Sequence, residues 1–113
     1  MTVAFDGIGS VIATFLTESD IAGGEVVKLT DNGTVGLCAE GEAFCGVALP
    51  PREGAGAVQL RGFVTVSYSG TAPEVGPVTL AADGAGGVMT ADSGVSALAV
   101  AVDEDEMTAV ILL

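Results

Sequence analysis

Residues 42–69, EAFCGVALPPREGAGAVQLRGFVTVSYS, decide the fold of this chain. They predict an apolar strand over residues 43–49, a turn opened by Pro50 and Pro51, and a long second strand over residues 57–69. Along the second strand, apolar residues alternate with smaller or polar ones on both sides of a glycine, which is the period of a half-buried β-strand. The stretch therefore predicts a β-hairpin, and none of its residues suggests catalysis.

The composition favours an all-β protein with one domain. The chain has 113 residues, a length typical of a single domain, and 50% of them are hydrophobic. Glycine is too frequent for long helices, because each interior glycine costs a helix about 1 kcal/mol against alanine. With no tryptophan, one tyrosine and four phenylalanines, the core has to be packed mainly from valine, alanine and leucine.

The charge balance excludes two classes of partner. Fifteen acidic residues against three basic ones give a net charge of -12. Such a chain is expected to repel nucleic acid and anionic membrane surfaces, since binding phosphates requires lysine and arginine. No stretch approaches the roughly 18 uninterrupted apolar residues of a membrane-spanning helix. The first residues lack the basic start of a secretory signal, so we expect synthesis in the cytoplasm. Docking of an acidic patch on a basic partner remains open.

The pattern of strands occurs twice along the chain. Segments at about residues 24–60 and 76–112 share the order strand, glycine turn, strand, turn, strand, acidic turn, strand, at an offset of roughly 52 residues. The matched positions are Val26 with Val78, Val35 with Val88, Val47-Ala48 with Val100-Ala101, and Val58-Gln59-Leu60 with Val110-Ile111-Leu112. Neither half could bury its apolar face alone. We therefore expect a single small β-barrel or a two-sheet sandwich with an internal duplication.

Turn residues separate the strands of each repeat. Asp31-Asn32-Gly33 predicts a hairpin turn, because Asn-Gly supplies positive φ angles. The predicted strands outside the opening stretch are residues 25–29, 34–39, 77–82, 88–90, 97–102 and 107–113. Residues 62–69 have no counterpart in the second repeat and are expected to link the two halves.

The N-terminal residues 1–17 lie outside the repeats and allow two interpretations. They are apolar, but their spacing fits neither a clean helix nor a clean strand. They form either an extended N-terminal arm that packs on another subunit or an ordinary first strand at residues 11–16. The barrel or sandwich domain then takes residues 18–113.

The inventory of reactive residues excludes the usual enzyme chemistry. Histidine is absent, so the serines have no base and a metal lacks its commonest ligand. Cys38 and Cys45 have no second pair to complete a zinc site, and we expect free, buried thiols, with a hairpin disulfide as the alternative. The acidic residues 103–106 predict a solvated turn, with a calcium loop as the alternative. We expect a protein that is not an enzyme and holds no metal or cofactor.

Arg61 is one of the three basic residues and interrupts a strand just before a glycine. This position suggests a bulge or a sheet edge. In so acidic a chain, we expect its guanidinium to contact a carboxylate of a neighbouring subunit.

The order of the motifs resembles the small phage capsid cement (head decoration) proteins. The motifs that carry the resemblance are GGEVVKL, TVG, FCGVAL, GAVQLRGFVTV, VGPVTL, GGVMT, LAVAV and the terminal AVILL. They cover residues 22–113, and most of them are glycine and valine in the family's order and spacing. One departure is the strand ALAVAV, where Leu98-Ala99 replaces the glycine of a second Gly-Val-Ala.

The resemblance implies a structural protein on the exterior of the virion capsid. It would bind the major capsid protein shell after expansion and stabilise it, commonly as a homotrimer. An N-terminal arm often contacts the shell in this family. By position in the chain, the candidate capsid-contact residues are Phe5, Ile8, Val11, Ile12 and Phe15. The alternatives are another structural virion component (a head-fibre base or a tail-associated β-barrel) and a ligand-binding β-domain.

Overall fold

The structure is a computed structural model that describes residues 10–18, 21–50 and 55–113. These residues form ten β-strands and no helix, so the predicted all-β fold is confirmed. The strands are β1 (Val11–Thr17), β2 (Val26–Asp31), β3 (Thr34–Leu37), β4 (Gly46–Ala48), β5 (Ala55–Arg61), β6 (Phe63–Ser67), β7 (Gly76–Ala82), β8 (Val88–Thr90), β9 (Val95–Asp103) and β10 (Thr108–Leu112).

The first five strands close into a barrel in the order β1-β3-β2-β4-β5. β1 closes it, because it pairs antiparallel with β5 and parallel with β3. Val11–Thr17 is therefore a strand of the barrel, as the second interpretation of the N-terminal residues proposed. The part of the predicted arm at residues 1–9 lies outside the described residues.

The last five strands form a second sheet in the order β6-β10-β9-β7-β8. A single parallel bridge joins Tyr68, just after β6, to Val88 on β8. The first strand of this half thus pairs antiparallel with its last strand and bridges to its third. These are the same pairings that β1 makes in the first half. The two halves share one order of pairing, as expected of an internal duplication.

The pairing also gives the positions that correspond between the halves. Val58 pairs with Ala13 on β1, and Ile111 pairs with Val64 on β6. Val58 therefore corresponds to Ile111, and both side chains are buried. Ala48 pairs with Val58 and Ala99 pairs with Ile111, so the sequence match of Val47-Ala48 with Val100-Ala101 was off by two residues. The sequence match of Val58 with Val110 was off by one residue. A slip of one residue exchanges the two faces of a strand. The pattern of buried side chains therefore fixes the register, which a sequence rich in glycine and valine does not fix.

Gly62 divides the strand that the sequence predicted over residues 57–69. It has a φ of 104°, which an L-residue with a side chain rarely adopts, and it lies between β5 of the first sheet and β6 of the second. The amide of Gln59 bridges this break, donating to the carbonyl oxygens of Arg61 (3.2 Å) and Phe63 (2.9 Å). Residues 62–69 do link the halves, but they are also the counterpart of β1 rather than an unmatched extension.

Two apolar clusters form the core. One lies within the first barrel and contains Ile21, Val27, Val35, Ala48 and Val58. The other is built mostly from the second half, but it also includes first-half residues: Val26, Cys38, Phe44 and Val47. The two halves therefore share part of their core. The sequence predicted this, because neither repeat could bury its apolar face alone.

Candidate interaction surface

The outer face of β1 is the most exposed apolar strand surface of the first barrel. Its side chains alternate, so that Ala13, Phe15 and Thr17 point toward the barrel while Ile12 and Leu16 point away from it. Ile12 is 52% exposed and Leu16 is 61% exposed. An apolar side chain gains nothing from facing water, so this face is a candidate for contact with another molecule.

A third exposed apolar side chain, Val11, stands at the start of β1 beside a β-bulge. Val11 pairs with Arg61, whereas Ile12 already pairs with Gln59, so Leu60 is the extra residue and the bulge lies on β5. Leu60 packs against the core of the first barrel. β1 therefore begins with two exposed apolar side chains, Val11 and Ile12.

The structure separates the five candidate capsid-contact residues. Ile12 lies on the exposed outer face of β1, and Val11 is exposed at the start of the strand. Phe15 lies on the inward side, half-buried and packed against the first core cluster, so it contributes to stability rather than to a contact surface. Phe5 and Ile8 lie outside the described residues. Leu16 was not among the candidates, although alternation from Ile12 onward would have placed it on the same face.

The corresponding face of the second half is more polar. Ser67 pairs with Thr108 on β10, as Leu16 pairs with Ala55 on β5, so the two positions correspond. Thr65 corresponds to Thr14 in the same way, and both threonines are exposed. The outer faces of the two strands therefore differ in polarity at the position of Leu16 and Ser67.

Arg61, the predicted subunit contact, is exposed at the bulge between the halves. Its guanidinium donates from Nη1 to the carbonyl oxygen of Leu60 at 2.9 Å. It borders a cavity of about 380 Å³ that is also lined by Phe44, Cys45, Leu60, Val95, Ser96 and Leu113. No carboxylate of the described residues pairs with it, which leaves the predicted contact with a neighbouring subunit as a prediction.

A cleft on the second half has an acidic lining. It measures about 770 Å³, and Glu40, Glu74 and Asp83 contribute to its wall. Asp83 is already engaged: its Oδ2 accepts from the Ser69 hydroxyl at 2.6 Å, and its Oδ1 accepts from the backbone N–H groups of Ala85 (2.7 Å) and Gly87 (3.0 Å). This carboxylate therefore holds the turn between β7 and β8 together.

Lys28 and Glu42 form an ion pair on the surface of the first half. The ammonium Nζ lies 2.6 Å from Oε2 and 2.7 Å from Oε1. The Glu42 carboxylate also accepts from the backbone N–H of Ala39 at 2.6 Å. The hydrogen bond that Lys28 donates lowers the pKa of the Glu42 carboxyl. The same hydrogen bond raises the pKa of the Lys28 ammonium. The pair anchors the loop between β3 and β4.

The two cysteines are free thiols, and their surroundings disfavour the reactive thiolate. Burial raises the pKa of Cys38 to about 11, with the nearby Glu42 carboxylate adding to the effect. Burial also raises the pKa of Cys45. A thiol that stays protonated at neutral pH is a poor nucleophile.

The acidic residues 103–106 form the turn between β9 and β10. Asp103 Oδ1 accepts from the backbone N–H groups of Asp105 (3.0 Å) and Glu106 (3.2 Å), which is an Asx-type turn. Across the described ranges, no three residues with metal-binding side chains lie close enough to hold an ion. In the same part of the chain, no helix is long and apolar enough to cross a membrane.

Comparison of the chain with family models and with curated proteins finds no match in either.

Proposed function

We propose that this protein is a non-enzymatic decoration (cement) protein of a phage capsid. It binds the outside of the major capsid protein shell, as a homotrimer, and stabilises the shell. The resemblance of its motifs to the head decoration proteins suggests this function. The observation that carries the proposal is the exposed apolar face of β1, formed by Val11, Ile12 and Leu16 on a rigid barrel.

This face is suited to docking on a shell. Leu16 lies where β1 pairs with both β3 and β5, and Ile12 pairs with Gln59 on β5, so little backbone entropy is lost when the two side chains are covered. A specific contact of ordinary size buries about 800 Å² per partner, and three linked copies add avidity to each contact. The acidic surface keeps a protein of high copy number soluble before it attaches.

A pelleting experiment tests the proposal. The purified protein is mixed with expanded and with unexpanded capsids of the phage that encodes it, and the capsids are sedimented. We expect the protein to pellet with expanded capsids. Absence from both pellets would contradict the proposed function.

Variants of the β1 face sharpen this experiment. Leu16→Ser copies the residue that the second half carries at the corresponding position, and Ile12→Thr keeps a β-branched side chain on the strand. We expect the double variant to lose at least about tenfold in capsid affinity, as expected for losing an interface contact of about 1.4 kcal/mol. Ser67→Ala on β6 is the matched control and should bind like the wild type. Equal binding by all three proteins would show that β1 does not face the shell.

A further inference from the structure

Asn32 and Gly33 form the tip of the hairpin between β2 and β3, and both residues are exposed. Asn32 is the only asparagine of the chain. An asparagine side chain can cyclise onto the backbone nitrogen of the next residue, and a glycine there has no side chain to shield that nitrogen. The tip of this hairpin is therefore a candidate site of covalent modification.

Neither of the two reacting groups is held in place. The hydrogen bonds at the tip use other atoms: the backbone N–H of Asn32 donates to Asp31 Oδ1 at 2.8 Å, and its backbone carbonyl accepts from the Thr34 hydroxyl at 3.1 Å. Within the described ranges, no hydrogen bond engages the Asn32 side-chain amide or the Gly33 N–H. A Cβ atom added to Gly33 would meet nothing within 4 Å. The tip therefore has the freedom and the space that closing a ring requires.

The turn between β7 and β8 contains a related pair, Asp83-Gly84, and there the fold restrains the reacting groups. An aspartate before a glycine can close the same ring with loss of water. The two carboxylate oxygens of Asp83, however, accept three hydrogen bonds, from one hydroxyl and two backbone N–H groups. A Cβ atom added to Gly84 would lie 3.2 Å from the backbone nitrogen of Glu40, so this turn also lacks space. The structure thus separates a free site at Asn32 from a restrained one at Asp83.

We propose that Asn32 deamidates spontaneously in the folded protein, to isoaspartate and aspartate. The Gly33 nitrogen loses its proton and bonds to Cγ of Asn32, the bond between Cγ and the side-chain nitrogen breaks, and ammonia leaves. Water then opens the five-membered imide. Opening at the backbone carbonyl gives isoaspartate, and opening at the side-chain carbonyl gives aspartate. The reaction needs only water, and it proceeds whether or not the protein binds a capsid.

The isoaspartate product loosens the closure of the barrel. In isoaspartate the chain runs through the side-chain carbons, so the backbone between Asn32 and Gly33 becomes longer by one methylene group. Gly33 is where this hairpin meets β1, because its carbonyl accepts from the N–H of Leu16 at 2.9 Å. Leu16 also pairs with Thr34, one of the two positions at which β1 and β3 pair. A longer backbone at the tip displaces the Gly33 carbonyl and weakens this parallel contact.

Incubation of the full chain at mildly alkaline pH tests the modification. We expect a more acidic species to accumulate on ion exchange, faster as the pH rises, because the Gly33 nitrogen reacts after losing its proton. Peptide mapping with an isoaspartate-specific methyltransferase should place the change at residue 32. The urea-unfolded chain is the positive control, and Asn32→Ser, which has no side-chain amide, is the negative one. A folded wild type that stays unmodified while the unfolded chain converts would overturn the proposal.

The Asp83-Gly84 pair provides an internal control at mildly acidic pH, where its carboxyl group is most readily protonated. In the folded protein we expect no isoaspartate at residue 83, whereas the unfolded chain should form it. Ser69→Ala removes the hydroxyl that holds Asp83 Oδ2 at 2.6 Å, and it should raise conversion at Asp83 and leave that at Asn32 unchanged. Protection of Asn32 in the folded protein as complete as that of Asp83 would overturn the distinction between the two turns.

The isoaspartate form, separated by ion exchange, tests the effect on the barrel. Urea denaturation should show an unfolding equilibrium constant about tenfold higher than that of the wild type, as expected for losing about one backbone hydrogen bond. Hydrogen exchange at the Leu16 amide should also be faster. Freshly purified Asn32→Asp carries the same charge on an ordinary backbone, and it should match the wild type in both measurements. Equal stability and equal exchange in the isoaspartate form and Asn32→Asp would overturn the loosened closure.

Discussion

The strands β1 and β6 hold the same place in the two halves, yet their outer faces differ in polarity at one position. Each pairs antiparallel with the last strand of its half and contacts the third in parallel. Phe15 and Val66 are inward and apolar in both cases. On the outer face, the exposed Leu16 stands where β6 has the exposed Ser67. Packing constrains the inner face of both strands, so their outer faces are free to differ.

The comparison extends to the cores of the two halves. The cluster inside the first barrel belongs to that half, whereas the other cluster takes residues from both. The second half therefore depends on the first for part of its core. We expect the halves to unfold together, although each has its own sheet.

The largest effect is expected from truncating Leu80 in the shared cluster. Leu80 is fully buried, and Leu80→Ala should lower the free energy of unfolding by about 2–5 kcal/mol. Val27 is fully buried in the first cluster, and Val27→Ala should cost about 2 kcal/mol for two buried methyl groups. Urea denaturation followed by circular dichroism measures both. If the halves are coupled, each variant shifts one single transition. Two transitions, of which only one moves, would show that the halves fold independently.

A smaller effect is expected at Gly46, where β4 and β5 approach each other closely. Gly46 on β4 corresponds to Ala97 on β9, since they pair with Val27 and Val78. A methyl group on Gly46 would lie 2.6 Å from the carbonyl oxygen of Gln59. Gly46→Ala should therefore destabilise the protein by about 1–3 kcal/mol, whereas Ala97→Gly should cost only about 0.5–1 kcal/mol. Thermal unfolding of the two variants compares them. Equal losses of stability would mean that β4 and β9 have the same space for a methyl group at these two positions.

Two hairpin turns provide the next comparison. Gly33 has a φ of 62° in the turn between β2 and β3, and Met107 has a φ of 53° in the turn between β9 and β10. The left-handed region costs a residue with a side chain about 1–2 kcal/mol, and glycine much less. Gly33→Ala should destabilise by about 1 kcal/mol, and Met107→Gly should stabilise by about 0.5 kcal/mol. Urea midpoints measure the two changes. A loss of stability in Met107→Gly would mean that its half-exposed side chain packs usefully.

The smallest effect is expected from the ion pair that only the first half carries. The folded-state pKa of Glu42 lies below its ordinary value of 4.5, so its contribution is present above that value and is lost as the pH falls through the lowered one. Glu42→Gln should therefore flatten the loss of stability between neutral pH and about pH 3. Urea midpoints across this range give the slope, with Glu74→Gln at an exposed position as the control. Identical slopes for both variants would show that the ion pair adds nothing.

Much of the fold could be predicted from the sequence, because local signals and tertiary structure agree. Glycine-led turns and short valine-rich runs located the strands to within a few residues, and β8 (Val88–Thr90) was predicted in full. The duplication predicted that the halves would pack together. The prediction was wrong at Gly62, where alternation continues through the glycine although the chain passes from one sheet to the other. Alternation of apolar and polar residues shows which side chains share a face of a strand. It does not show to which sheet the strand belongs.

The candidate surface was only partly predictable. Val11 and Ile12 came from the family's use of an N-terminal arm, not from their spacing. The opposite orientation of Phe15 and the exposure of Leu16 follow from the register of β1 against β5, which no local pattern gives. The bulge at Leu60 had one local sign, the Arg61-Gly62 pair that interrupts the strand.

A cryo-electron microscopy map of decorated capsids would test most directly the claim that the outer face of β1 meets the shell. We expect β1, with Ile12 and Leu16, to lie against the major capsid protein, and Thr65 and Ser67 on β6 to lie away from it. A map in which β6 contacts the shell and β1 faces solvent would contradict this claim.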